Sequence, residues 1–312
     1  MKNVLSLIGD TPLIELKKFS NPNARLFAKL EMFNPTHSIK DRIVSHIIHA
    51  AEHAGILKPG MTIIEATSGN TGAALAMIAS MKVYSVILTT PGKTSPEKIA
   101  VMRSYGADVR VCPAAAKEGD PENYITLAKA IHQQTPNSFM LNQYNNPANI
   151  AAHYASTGPE IWEQMEGKVD YLIACGSSGG TITGVGRYLK ERNPALKVIM
   201  PDPIGSIYYS YFKTKKMNPD HIKPYKTEGV GKDFICDCMD FSILDDVIQF
   251  TDEDAFSSVK KLALEEGILA GGSSGAALFA ANQLASQLTE PAHIVVIFPD
   301  SGLKYVSTIF TA

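Results

Sequence analysis

The feature that most constrains this chain is a regular alternation of short apolar runs with longer amphipathic ones. The runs 61–65, 83–89 and 108–112 are short and rich in Val and Ile, as strands are, and 71–81 and 95–105 between them carry apolar residues at helical spacing. The rhythm returns in the second half. Runs 171–175, 197–200 and 293–298 read as buried strands, and 180–192, 253–266 and 274–287 as helices. Strand-to-helix alternation of this kind predicts an α/β fold of mostly parallel twisted sheets, because a parallel pair needs a crossover and the crossover helices cover both sheet faces.

At 312 residues the chain has length for two such domains. A seam is expected near Asn146-Pro147, after the apolar run 139–141. The division predicted is a smaller domain over 38–147 and a larger one formed by 1–37 with 148–312. The stretch 203–225 is the least regular, and a loop is expected there.

Charge narrows the function classes. The 29 basic and 31 acidic residues nearly cancel, with no basic stripe to suggest nucleic acid. Four cysteines, at 112, 175, 236 and 238, make no C-x-x-C pair, which is expected of thiols in a reducing compartment. The first 16 residues hold Gly9, Asp10 and Pro12 and do not read as a signal peptide, and no apolar run has the roughly 20 residues a membrane span requires. A cytoplasmic protein is the expectation.

Three loops concentrate the chemistry. Gly176-Ser177-Ser178-Gly179-Gly180-Thr181 follows a strand and opens a helix. Its glycines let backbone N–H groups approach an anion, the helix start adds a positive dipole end, and its hydroxyls add donors. It suits a phosphate. No G-x-G-x-x-G follows the first strand, so a dinucleotide site is unsupported. Thr67-Ser68-Gly69-Asn70-Thr71-Gly72 also joins a strand to a helix and suits a carboxylate. Lys40, between Ile39 and Asp41-Arg42, stands at a helix start. An amine that captures an aldehyde must give up its proton readily, which burial and neighbouring positive charge favour. A lysine for an aldehyde, a phosphate loop and a carboxylate loop together point to pyridoxal 5′-phosphate (PLP) acting on amino acids.

Two other motifs carry less. Gly271-Gly272-Ser273-Ser274-Gly275 fits the nucleophile elbow G-x-S-x-G, but the acid and histidine do not follow in that fold's chain order. His49-Ala50-Ala51-Glu52-His53 fits H-x-x-E-H, yet no third ligand is evident, so no metal is expected.

With Gly9-Asp10-Thr11-Pro12-Leu13, Asn34-Pro35, Ser38-Ile39-Lys40-Asp41-Arg42, Asn142-Gln143-Tyr144, Asn149, His153-Tyr154 and Asp300-Ser301-Gly302, the loops make the chain resemble the fold-type II PLP enzymes of the cysteine synthase and cystathionine β-synthase group. The likeness runs over nearly the whole chain. It implies that Lys40 forms the internal aldimine and acts as the catalytic base. It implies that Ser177, Ser178, Gly179, Gly180 and Thr181 hold the phosphate, that Asn70 bonds the phenolic oxygen and that Ser273 faces the pyridine nitrogen. Thr67, Ser68, Thr71 and Gln143 would bind the substrate carboxylate, with Gly229 in a further substrate loop.

Glu228-Gly229-Val230-Gly231-Lys232-Asp233-Phe234 and Asp202-Pro203-Ile204-Gly205-Ser206 are similar to the cystathionine β-synthase branch. The implied reaction is β-replacement of serine by homocysteine through an aminoacrylate to give cystathionine, in amino-acid biosynthesis and transsulfuration. The alternative is a cysteine synthase using O-acetylserine and sulfide. Small-molecule amino-acid and thiol substrates and a homodimer are implied, and regulation through a tandem or haem-binding domain is not expected. His37, Ser177-Ser178 and Lys232 depart from the group's usual residues.

Overall fold

A computed structural model describes residues 3–92, 94–116 and 119–310. Its strands in chain order are β1 (Leu13–Glu15), β2 (Ala24–Leu30), β3 (Thr62–Ala66), β4 (Ser85–Pro91), β5 (Asp108–Cys112), β6 (Ser138–Met140), β7 (Tyr171–Ile173), β8 (Lys197–Pro203), β9 (Asp246–Phe250) and β10 (Ala292–Phe298). The principal helices are α1 (Lys40–His53), α2 (Asn70–Lys82), α3 (Pro96–Ser104), α4 (Tyr124–Gln134), α5 (Ala148–Ala155), α6 (Thr157–Gln164), α7 (Gly180–Arg192), α8 (Tyr208–Thr214), α9 (Asp252–Glu266) and α10 (Gly272–Ala285).

Two compact units result. One contains the stretch up to Ile8 and Asn34–Ala148; the other contains Gly9–Phe33 and everything from Asn149 onward. The sequence division put all of 1–37 with the larger domain. By contact, only the part that enters the larger sheet, β1 and β2 with their flanks, belongs there, because strand pairing ties it to β10.

The smaller unit has a four-stranded sheet in the order β5-β4-β3-β6, every pair parallel. The larger has a six-stranded sheet, β1-β2-β10-β7-β8-β9, antiparallel only at β1–β2. These are the mostly parallel sheets that the alternation predicts. Strand β10 is buried along nearly its whole length, which a strand covered on both faces requires. Helix α2 is buried through its first three turns, and its sequence is apolar on all sides accordingly.

Local chemistry sets the helix ends. Thr251 and Asp254 form a reciprocal capping box that starts α9, and Gly267 at φ 70° stops it. Ser95 caps α3 with Pro96 in the first turn. Strands β1, β2, β6 and β9 are not among the runs read as strands, although 139–141 is noted as apolar. Strand β2 hides Lys29, fully buried, whose ammonium reaches Thr11 O, Glu160 Oε2 and Gln164 Oε1 at 2.7–2.9 Å. Strands β1 and β9 are sheet edges with partly exposed polar positions that break the apolar run. The stretch 203–225, expected to be a loop, contains helix α8 and a 3-10 turn at Pro219–His221.

Candidate active site

In the smaller unit, Lys40 is the first residue of α1 and half-buried, its N–H bonded to Ser38 Oγ at 3.3 Å. Its neighbours are fixed: the Asp41 carboxylate is fully buried and accepts from the N–H and hydroxyl of Thr36, and Arg42 is buried.

The 67–72 loop springs from the end of β3. Thr67 Oγ1 accepts the N–H groups of Gly69 and Gly72, both at 3.2 Å, so this side chain shapes the loop from within. Gly69 has φ 149°, and a side chain there would press on the stem of Lys98. Ser68 is exposed and Asn70, which opens α2, is half-buried. Thr71 and Gln143 are buried together, the Thr71 hydroxyl donating to Gln143 Oε1 at 2.7 Å.

Sequence reasoning missed Glu65. It lies in β3, 2% exposed, where an apolar residue is the rule. Its carboxylate accepts the consecutive backbone N–H groups of Asn142 at 2.8 Å and Gln143 at 3.2 Å, with Asn142 at φ 53°. Two successive amides closing on one anion form a nest. Burial pushes the carboxyl up to about 7, against the pull of those N–H groups. A charged residue inside an apolar run was the available signal.

In the larger unit, β7 leads into the glycine–serine loop and α7. The glycines are required by what packs behind them. A Cβ at Gly176 would strike Met200, at Gly179 (φ 88°) the Met239 backbone at 2.5 Å, and at Gly180 the Asn149 side chain. Asn149 Nδ2 donates to Ser178 Oγ at 3.2 Å. Thr181 Oγ1 meets His153 Nε2 at 3.1 Å, and His153 Nδ1 meets Thr157 Oγ1 at 2.9 Å, a buried relay that fixes the Thr181 side chain. Backbone amides at a helix start, two serine hydroxyls and a threonine make a donor set that fits a phosphate.

Ser273 is the second residue of α10, 5% exposed, and its carbonyl accepts from Cys175 Sγ at 3.2 Å. Asp202, at the end of β8, is fully buried, with Oδ2 accepting Tyr209 N–H at 2.8 Å and Oδ1 without a hydrogen-bond partner. Burial raises its carboxyl to about 7, opposed by Ser206 and the Tyr209 N–H. Gly229 (φ 78°) is exposed, while Gly231 N–H donates to Gly176 O at 2.7 Å and so joins its loop to the glycine–serine loop. Lys232, where the sequence departs from the group, lies over the Phe234 ring at 5.1 Å.

The remaining motifs do not converge on a site of their own. The His49 and His53 rings stack 6.5 Å apart on α1, and among the described residues no cluster of three or more His, Cys, Asp or Glu side chains is arranged to hold a metal ion. The four cysteines are free thiols. Among the described residues no helix is long and apolar enough to cross a membrane.

Mostly parallel sheets with crossover helices, and a glycine–serine loop at a helix start whose donors fit a phosphate, are features of α/β enzymes that handle a phosphorylated cofactor. The chain belongs to the pyridoxal-phosphate dependent enzyme family, whose sequence profile matches residues 4–300. It is 42% identical over 310 residues to cystathionine β-synthase of Apis mellifera, covering 98% of this chain and 61% of that protein. It is 40% identical over 306 residues to O-acetylserine dependent cystathionine β-synthase of Bacillus subtilis, covering 98% of this chain and 96% of that one. The crystal structure of O-ureido-L-serine synthase superposes with a TM-score of 0.91 at 30% identity, over 99% of this chain and 94% of that one. The chain spans about 55–62% of the length of the animal, slime-mould and yeast cystathionine β-synthases it matches. It is a PLP-dependent enzyme.

Proposed function

We propose that the protein catalyses β-replacement on serine, joining it to homocysteine to give cystathionine and water. The observation that carries this is the 40–42% identity, over 98% of the chain, to proteins named cystathionine β-synthase. The link between the Glu228–Phe234 segment and the glycine–serine loop, through Gly231 and Gly176, agrees with a substrate loop next to a cofactor loop.

In this reading Lys40 carries the cofactor's aldehyde, Ser177, Ser178, Gly179, Gly180 and Thr181 hold the phosphate, Asn70 donates to the phenolic oxygen and Ser273 faces the ring nitrogen. Bound there, PLP supplies an electron sink for the charge left at the substrate Cα. The Lys40 amine would take the Cα proton and pass it to the departing oxygen, and the proton it later returns to Cα would be the one released by the homocysteine thiol as its sulfur adds at Cβ. Gln143 and the amides of the 67–72 loop bind the substrate carboxylate, with Ser68 and Thr71 beside them, while Thr67 holds that loop in shape. Gly229, exposed and at positive φ, would belong to the loop that admits the thiol. Homocysteine supplies the sulfur nucleophile, which adds at Cβ. A homodimer in the cytoplasm, working in transsulfuration as a lyase, completes the reading.

A second reading has a specific observation in its favour. The Bacillus subtilis relative, matched over 96% of its length, is named as O-acetylserine dependent. If this chain shares that preference, acetate leaves instead of water and the leaving oxygen needs no proton. One titration separates the possibilities. Purified protein receives serine or O-acetylserine, then homocysteine or sulfide, with visible absorbance followed and products identified by mass spectrometry. A spectral response to serine and cystathionine on adding homocysteine supports the proposal. Cystathionine from O-acetylserine alone moves the donor assignment, cysteine from O-acetylserine and sulfide alone makes the enzyme a cysteine synthase, and no visible cofactor band overturns the assignment of Lys40 and both loops.

A further inference from the structure

The glycine–serine loop is held from behind by two side chains to which the proposed reaction gives no role. Tyr208, 0% exposed, donates its hydroxyl to the Ser177 carbonyl at 2.6 Å. Cys236, also 0% exposed, points its thiol at the same carbonyl at 3.5 Å, and the Tyr208 oxygen and Cys236 sulfur are 3.4 Å apart. Burial raises both groups' pKa values, so each keeps its proton and remains a donor at neutral pH. The Tyr208 ring is clamped edge-on against Phe241 with centroids 5.4 Å apart, and the hydroxyl has little freedom to follow a moving loop.

The consequence follows from peptide geometry. In a trans peptide the C=O and the next residue's N–H point in opposite directions. With the Ser177 carbonyl turned onto Tyr208, the Ser178 N–H is turned away from Tyr208. Among the described residues nothing accepts a hydrogen bond from that N–H, although Ser178 is 5% exposed. A buried amide donor seldom goes without an acceptor. An amide whose carbonyl already accepts a hydrogen bond is also a stronger N–H donor.

We propose that Tyr208, seconded by Cys236, is a positioning residue for the cofactor's phosphate: it holds the Ser177 carbonyl so that the Ser178 N–H is presented to a phosphate oxygen. This rests on reading residues 177–181 as the phosphate loop. Tyr208 and Cys236 touch no cofactor atom in this arrangement and act only through the peptide they hold.

The test compares PLP with pyridoxal, which has the same ring and aldehyde but no phosphate. The full chain, stripped of cofactor, is titrated with each by equilibrium dialysis, and the 31P resonance of bound PLP is recorded. Tyr208→Phe is expected to weaken PLP about three- to tenfold, the worth of one neutral hydrogen bond, and to move the 31P resonance while pyridoxal affinity stays unchanged. Cys236→Ala is expected to give a smaller loss with the same selectivity, and carries the test alone if Tyr208→Phe does not fold. Equal weakening of PLP and pyridoxal would reduce Tyr208 to a packing residue and overturn the proposal, as would no change in either. Thr181→Ala and the wild type keep the underlying reading separate. If the wild type does not prefer PLP to pyridoxal, or Thr181→Ala leaves PLP affinity intact, the loop is not the phosphate site and the proposal falls with it.

Discussion

Thr71 and Gln143 stand 72 residues apart in the chain and share a 2.7 Å hydrogen bond, the Thr71 hydroxyl donating to Gln143 Oε1. The bond orients the amide so that its Nε2 donors face elsewhere, one toward Ala66 O at 3.5 Å. A hydroxyl has one proton, so under the proposed function Thr71 would act on the substrate carboxylate through Gln143 while this bond lasts. Thr71→Val is therefore expected to raise the amino-acid KM about threefold to tenfold, with Thr71→Ser close to wild type and Gln143→Ala more severe than either. Steady-state kinetics with serine and O-acetylserine measure this. Equal damage from the serine and valine variants would show that the hydroxyl is not what matters.

Glu65 underlies the same corner. Removing its carboxylate takes this acceptor from the N–H of buried Gln143 and from that of its exposed neighbour Asn142. The loss at the buried N–H costs on the order of 1–3 kcal/mol. Glu65→Ala should lower Tm by several degrees and raise the amino-acid KM, while leaving the affinity for PLP near wild type. Calorimetry and cofactor titration on one preparation read both effects.

Asp202 gives stability a pH dependence of known sign. Its carboxyl titrates near 3.8 unfolded and about 7 folded, raised by burial. The folded state thus binds the proton more tightly, and stability falls as pH rises from about 4 to 7, by on the order of 4 kcal/mol from this group. Asn at this position keeps an acceptor for Tyr209 N–H and carries no charge. The Tm advantage of Asp202→Asn over wild type should be small near pH 4.5 and grow through pH 7. A difference independent of pH would mean that Asp202 is not ionising inside the fold.

Gly180 leaves no room for a side chain, because Asn149 fills the space where a Cβ would stand. Gly180→Ala should abolish tight PLP binding. Adding Asn149→Ala should restore part of the lost thermal stability, since the clash goes with the amide, although the Asn149–Ser178 bond goes too. Thermal melts of the two single variants and the double variant give the coupling directly.

Lys40 is the remaining assignment to test. Lys40→Ala is expected to cut turnover by on the order of 1,000-fold or more, with added primary amine returning a measurable fraction. Full activity in the variant would remove the central residue of the proposed mechanism.

Much of this protein was legible in its sequence because the informative signals are local. Apolar runs of strand length separated by helical spacing determined the parallel α/β architecture, since period and run length reflect the geometry of the single element. The 67–72 and 176–181 loops and Lys40 were visible for the same reason, each a short turn between adjoining elements or the first turn of a helix. Elements whose chemistry departs from the local rule were not visible. Strand β2 carries a buried lysine and the edge strands β1 and β9 are partly polar. Helix α8 begins with aromatic residues in a segment crowded with turn formers.

The sequence by itself determined which chemical groups are present and which loops present them. The tertiary structure alone decided how those groups are held, because the holding partners are distant in the chain and meet only when strands and helices pack. Glu65 meets the amides of Asn142 and Gln143 through the pairing of β3 with β6, and Asn149 reaches Gly180 and Ser178 where α5 lies against the start of α7. Tyr208 finds the Ser177 carbonyl only because β8 runs beside β7 and delivers α8 behind the loop. A hydrogen bond needs its two atoms within about 3 Å and in line, and chain separation says nothing about that distance until the sheet register is set.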